Sequence, residues 1–225
     1  MSFAIQCHAC GASSGPSVGV CPYCKAVQSS RKGGENPSVK ALRDLFEKGD
    51  LAQALAMGAL VEKEKPKLLE NSNFVLLYAQ ILLESEAPSS KIRALLQRAL
   101  MHSPNDSSLQ EYLELVNAKG NLSHQKADLG EVALKNLLQR SPANSHAAFL
   151  LGSHLFWVEK DSRAGLVYLE RAVKNRPNFL RALACLGALY GTIGAEAQAK
   201  KLFQRCVALE KNPEMKKYFR ELVQK

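Results

Sequence analysis

Residues 178–213 read NFLRALACLGALYGTIGAEAQAKKLFQRCVALEKNP, and this stretch decides the fold. Leu183, Leu186 and Tyr190 surround Gly187 at intervals of three and four residues, which places them on one face of a helix. After Gly194 the pattern starts again around Ala199. Small residues on the apolar faces let two antiparallel helices approach closely, so the stretch predicts a tightly packed helix pair.

The same arrangement recurs along the chain. Prolines at 66, 104, 142, 177 and 213 are separated by 38, 38, 35 and 36 residues. Each follows a helical stretch that ends in polar residues, and a new amphipathic stretch begins after each. One helix pair per interval predicts ten helices, and residues 214–225 add a final one. Since a single pair cannot bury its apolar face, neighbouring pairs are expected to stack into one core.

The spacing resembles the tetratricopeptide repeat (TPR), whose pattern is W-x2-L-G-x2-Y, then A-x3-F, then P. The copy ending at Pro213 matches best, with Leu in place of the Trp and Cys206 in a small-residue position. The preceding copy keeps Leu151-Gly152 and Pro177, and the middle copies match less well. The resemblance covers roughly residues 35–213. It implies an all-α, right-handed helical solenoid of about five helix pairs with a C-terminal capping helix.

The first 34 residues have a different composition. Residues 1–28 are rich in Gly, Ser and Cys without helical periodicity, and residues 29–34 (SSRKGG) have the character of a linker. Asn36-Pro37-Ser38 is typical of a helix start, since Pro suits the first turn and Asn or Ser caps it. We therefore predict three parts: a metal-binding segment at 1–28, a linker at 29–34, and a solenoid at 35–225 with its capping helix at 214–225.

Four of the six cysteines form two CxxC pairs in the first segment. In a chain without a secretion signal, clustered pairs favour a metal over disulfides. Two such pairs complete a tetrahedral site of four thiolates, and metal binding then supplies the folding free energy that so short a segment lacks. The expected ligands are Cys7, Cys10, Cys21 and Cys24.

The metal itself is less determined than its ligands. The segment resembles a zinc ribbon, but also rubredoxin-like knuckles, which hold one iron with C-x2-C-G and C-P-x-C. Both metals accept four sulfurs in a tetrahedron, so the spacing does not separate them. Structural Zn²⁺ is favoured because Phe3 and Tyr23 are the only aromatic residues available to shield a redox centre, and iron stays an alternative.

Composition limits the classes of partner. The chain of 225 residues has a formal net charge of +9, of which residues 1–34 contribute +3 and residues 214–225 contribute +2. The rest interleaves both signs, which is typical of a solvated helical surface, so nucleic acid is an alternative partner and not the first one. The longest apolar run, residues 74–83, is shorter than the roughly 20 residues that cross a bilayer. The start MSFAIQCHAC lacks the segments of a signal peptide. We expect a soluble, cytoplasmic protein without a membrane partner.

No catalytic motif is recognisable. The sequence lacks a Gly-rich phosphate loop, HExxH and GxSxG, and the histidines outside the first segment are scattered. Cys185 and Cys206 fall on predicted packing faces, where cysteine acts as a small apolar residue. We therefore expect a protein that is not an enzyme, with no catalytic residues.

The resemblance also implies where a partner binds, because in that family the first helix of each repeat lines a concave surface. The fourth copy is the richest in aromatic residues: Phe149, Phe156 and Trp157 are seven and eight residues apart and share one side of a helix. They either form an exposed platform or pack between repeats. The groove residues predicted for a protein partner are His146, Phe149, Ser153, Phe156, Trp157 and Arg181.

Taken together, these features predict a cytoplasmic adaptor or scaffold. Its groove would bind a peptide or an amphipathic helix of one protein, while the zinc ribbon makes a second contact. One alternative is a regulatory protein that binds nucleic acid through the basic ribbon and linker. Another is an electron-transfer protein with iron in the knuckle.

Overall fold

A computed structural model of the chain describes residues 36–122 and 126–224, together with the backbone of two short strands. The strands, β1 at Ile5–Gln6 and β2 at Ser13–Ser14, pair antiparallel, with Ile5 opposite Ser14. The chain divides into two units, Met1–Pro37 and Ser38–Lys225. Apart from the strands, the predicted metal-binding segment and linker lie outside the described residues, and their boundaries stay predictions.

Eleven α-helices make up residues 36–122 and 126–224, so the all-α prediction is confirmed for this part of the chain. A short 3-10 helix, Pro66–Glu70, lies between the second and third α-helices. The α-helices are α1 (Pro37–Glu47), α2 (Leu51–Glu64), α3 (Ser72–Glu84), α4 (Ser89–His102), α5 (Ser107–Leu122), α6 (Ala127–Arg140), α7 (Ser145–Trp157), α8 (Ser162–Asn175), α9 (Leu180–Thr192), α10 (Glu196–Leu209) and α11 (Pro213–Gln224).

Several helices begin at a capping side chain. The side-chain oxygens of Asn71, Asn144 and Asp161 accept hydrogen bonds from the backbone N–H three residues further on, at 3.0, 2.9 and 3.0 Å. Asp50 does the same for α2 at 3.2 Å. Each bond satisfies one of the N–H groups that the first helical turn leaves without an intrahelical partner. The starts of α2, α3, α7 and α8 are therefore local properties of the sequence.

Four of the described turns between consecutive helices contain a left-handed residue. Gly49 and Gly194 have φ of +76° and +79°, which glycine adopts without steric cost. Glu86 and Lys160 occupy the equivalent turns with φ of 60° and 57°, a region that disfavours side chains. Backbone hydrogen bonds close both turns, from the Ala87 N–H to the carbonyl oxygen of Leu82 and from the Asp161 N–H to that of Leu155, each at 2.9 Å. Lys160 adds a hydrogen bond from Nζ to the carbonyl oxygen of Trp157 at 2.6 Å.

Close packing within a pair depends on glycine. A Cβ atom at Gly152 would lie 2.9 Å from the backbone nitrogen of Leu169, so α7 and α8 touch almost backbone to backbone. At Gly187 a Cβ would lie 2.8 Å from the ring of Phe203 on α10. Protein interiors are close-packed, so they have no space for these added Cβ atoms. These positions therefore explain why the pattern requires small residues there.

One apolar core runs through all the pairs. Phe74, Tyr78 and Phe179 are among its largest fully buried side chains. The Tyr78 hydroxyl donates to Glu62 at 3.0 Å, which satisfies the polar end of an otherwise buried ring. Within the described ranges, no helix combines the length and the apolarity that crossing a membrane requires.

Candidate functional site

A groove of about 750 Å³ lies between α7, α9 and α11, with Phe203 of α10 at its base. Four of the six residues predicted for partner binding line it: Phe149, Ser153, Trp157 and Arg181. The other two, His146 and Phe156, do not. The structure therefore places the candidate site at the last two helix pairs and the final helix.

The aromatic residues of α7 have different environments. Phe149 is 6% exposed and packs on Phe179, with ring centroids 4.9 Å apart. Phe156 is 5% exposed and packs against α8: a Cβ atom added at Gly165 of α8 would lie 3.1 Å from the Cβ atom of Phe156. Trp157 is 52% exposed. Of the two alternatives left open by the sequence, packing applies to Phe149 and Phe156, and exposure applies to Trp157.

The other sides of the groove come from α9, which the sequence assigns to it through Arg181, and from α11, which the sequence does not assign to it. On α9, the lining positions after Arg181 are mostly small, among them Ala184, Ala188 and Gly191. On α11, Tyr218 is 52% exposed and faces the groove together with Phe219. The amphipathic sequence of α11 is the available signal, but by itself it predicts only a helix that caps the core.

Arg181 carries the only charge among the described residues that line the groove. Its Nη2 atom donates to the carboxylate of Glu86, and Nη1 donates to the carbonyl oxygen of Leu83 at 3.4 Å. The guanidinium also lies 5.0 Å from the centroid of the Phe149 ring. A cation in this position favours negatively charged ligand groups.

Neither described cysteine has the chemistry of a nucleophile. Burial raises the pKa of Cys185 to about 11 and that of Cys206 to about 12. Both thiols are therefore protonated near neutral pH, whereas a nucleophile must be a thiolate. The Cys185 side chain contributes to the groove lining as a small apolar group. Ser153 is similarly engaged, since its hydroxyl donates to the carbonyl oxygen of Leu150 at 3.1 Å.

His146 belongs to a different site, a buried polar cluster of Glu84, Tyr112, His146 and Arg176, called here the Glu84 cluster. His146 Nε2 lies 3.0 Å from Glu84 Oε1, and its Nδ1 lies 3.3 Å from the Tyr112 hydroxyl. A neutral ring with its proton on Nε2 satisfies both, donating to Glu84 and accepting from Tyr112. Arg176 donates to the same Glu84 carboxylate from a position 92 residues away in sequence.

Electrostatics within the Glu84 cluster follow from burial. Burial lowers the pKa of His146, and the charges of Arg176 and Arg181 lower it further, while Glu84 acts in the opposite direction. Burial is likewise the main reason that the pKa of Arg176 is lowered. The guanidinium of Arg176 also stacks 3.7 Å from the ring centroid of Phe46 on α1. The cluster thus joins α1, α3, α5 and α7 to the segment before α9.

The sequence contained little that would have revealed this cluster. Glu84 directly follows the apolar run 74–83, so its position on α3 hints at burial. Nothing in the sequence pairs Glu84 with Arg176, because their contact depends on how three helix pairs stack (α3–α4, α5–α6 and α7–α8). A polar recess of about 440 Å³ beside the cluster is lined by Glu111 and Asn144, among others, which are hydrogen-bonded to each other at 2.6 Å.

The predicted metal ligands, Cys7, Cys10, Cys21 and Cys24, lie outside the described residues. Across residues 36–122 and 126–224, no group of three or more His, Cys, Asp or Glu side chains is arranged to hold a metal ion. The zinc prediction therefore concerns the first unit alone.

No protein-family model and no curated protein matches the chain. Solved structures that align with it include YrrB, described as a TPR protein with an unusual peptide-binding site, at 14% identity and a TM-score of 0.41; the alignment covers 82% of this chain and 91% of YrrB. A MamA crystal structure aligns at 17% identity with a TM-score of 0.40, covering 83% and 99%. MamA of Desulfovibrio magneticus RS-1 aligns at 16% with a TM-score of 0.39, covering 78% and 97%. Similarity at this level carries no inference about what this chain binds.

Proposed function

We propose that this chain is a non-enzymatic adaptor of TPR type, whose groove between α7, α9 and α11 binds a segment of a protein partner. In this proposal, Cys7, Cys10, Cys21 and Cys24 hold a structural zinc ion, and the ribbon around it makes a second contact. The adaptor works in the cytoplasm.

One observation carries the proposal: an apolar groove in which Trp157 and Tyr218 are each about half exposed on opposite walls. Exposed aromatic side chains beside an apolar recess are the residues that most often dominate the binding free energy of interfaces. A groove of about 750 Å³ is large enough for several side chains of a peptide.

The experiment is a selection of random 16-residue display peptides on the full chain, followed by affinity measurement on the Trp157→Ala variant. Removal of an interface aromatic costs about 2 kcal/mol or more, so the selected peptides should bind roughly thirtyfold more weakly. Leu129→Ala is the matched control, since Leu129 is a 59% exposed apolar residue on α6, outside the groove. Equal affinity for Trp157→Ala and wild-type protein would contradict the proposal.

A further inference from the structure

The two ends of the groove differ chemically. Arg181 lies in the first turn of α9, and Gly191 lies in the last turn, ten residues further on. At a rise of about 1.5 Å per residue, the two positions are about 15 Å apart along the helix. The groove therefore has one cationic end, one end lined by small residues, and aromatic walls between them.

The cation at one end is available to a ligand. The Arg181 side chain is 34% exposed and its partner Glu86 is 69% exposed. An exposed ion pair of this kind contributes little to folding, because water solvates both groups well in its absence. A ligand carboxylate placed in the groove would be shielded from water by the aromatic walls, so it could share or replace Glu86 on the guanidinium.

The other end has unfilled space. A Cβ added at Gly191 would meet no heavy atom within 4 Å, in contrast to Gly187, whose position is filled by Phe203. Between the two ends, Ala184 and Ala188 line the groove with short side chains that occupy little of its space. A ligand backbone can therefore approach α9 closely here, with its large side chains directed toward Trp157 and Tyr218.

We propose that the ligand of this groove is an acidic, apolar-anchored segment of another protein. Large apolar side chains would pack between Trp157 and Tyr218, and an Asp or Glu carboxylate would meet Arg181. The inference rests on the proposed function and adds the chemistry of the partner. Charge complementarity supports it: the described lining has one cation and no carboxylate, and residues 214–225, which include most of α11, have a net charge of +2.

Three variants of the full chain test this chemistry with the selected display peptides. Gly191→Leu places a large side chain in the groove, at a position where the added Cβ meets no heavy atom within 4 Å. Because Leu favours helix more than Gly does, the melting temperature of this variant should not fall. Arg181→Met removes the charge but keeps a long apolar stem over Phe149. Arg220→Met is the matched control, because Arg220 is an exposed cation on α11 that does not line the groove.

The expected peptides combine Asp or Glu with Trp, Phe or Leu, and Gly191→Leu should abolish their binding. Arg181→Met should weaken them about ten- to a hundredfold, the range for losing a hydrogen bond to a charged group. Arg220→Met should leave the affinity unchanged. On the ligand side, replacing the peptide's Asp or Glu by its amide should weaken binding to wild-type protein by a similar factor, which requires no variant of the protein to fold.

The outcomes separate the two proposals. Peptides that depend on Gly191 but lack acidic residues would overturn the acidic-ligand inference and leave the groove as a binding site. Equal weakening by Arg181→Met and Arg220→Met would also overturn it, because net charge alone would then explain the preference. If no selected peptide responds to Gly191→Leu or Trp157→Ala, the proposed function fails as well.

Discussion

Replacing Glu84 by Gln should destabilise the helical unit strongly. The Glu84 side chain is 7% exposed, and it accepts hydrogen bonds from both Arg176 and His146. Glutamine keeps the shape and one acceptor oxygen but removes the negative charge. The Arg176 guanidinium, whose side chain is 19% exposed, then loses the carboxylate that it contacts. Removing one partner of a buried ion pair costs about 3–5 kcal/mol.

This magnitude converts into a measurable shift. For a domain of 150–250 residues, 1 kcal/mol lowers the melting temperature by about 2–4 °C, so Glu84→Gln should lower it by about 6–20 °C. Circular dichroism melts and urea titrations of the full chain measure this. The matched control is Glu114→Gln, which breaks an exposed pair with Arg140 at 2.6 Å and should cost about 1 kcal/mol at most.

A double variant completes the test. Glu84→Gln combined with Arg176→Gln removes both charges, so its destabilisation should be smaller than the sum of the two single effects. If Glu84→Gln and Glu114→Gln shift the urea midpoint equally, the buried ion pair does not stabilise the stacking of the repeats. If the destabilisation of the double variant equals the sum of the two single destabilisations, the conclusion is the same, because Glu84 and Arg176 would then not be coupled.

Three further predictions concern other parts of the chain. Phe149→Ala should cost about 3–5 kcal/mol of stability, because it leaves a cavity beside Phe179, whereas Trp157→Ala should barely change the melting temperature. Equal shifts of the melting temperature in the two variants would contradict the burial of Phe149 and the exposure of Trp157. Because burial lowers the folded-state pKa of His146, the neutral ring contributes fully to stability above the unfolded pKa of about 6.5, and this contribution is lost as the pH falls through the folded pKa. The urea midpoint of the wild-type protein should therefore decrease on acidification, and that of His146→Gln should decrease less. Identical pH profiles of the two proteins would refute this. Elemental analysis of protein purified without added metal should find about one zinc per chain, while stoichiometric iron would show that the knuckle is of rubredoxin type.

The sequence alone determined the helices and, from α3 to α10, their pairing. Recurrent prolines, capping residues such as Asn144, and small residues such as Gly152 act within one or two helical turns or between sequence neighbours. Information of this kind is local, since a helix needs only its own periodicity and its ends. The position of Arg181 and Trp157 near one groove also followed, because equivalent helices of successive repeats lie side by side.

Only the tertiary structure decided which of the neighbouring residues Phe156 and Trp157 is buried. Both belong to the same end of α7, but Gly165 of α8 makes room for Phe156, whereas Trp157 is 52% exposed. The contact of Glu84 with Arg176 required it as well, since 92 residues and several helix pairs separate them. Small rotations between repeats accumulate along a solenoid, so the meeting of distant repeats is a property of the whole stack and not of any one copy.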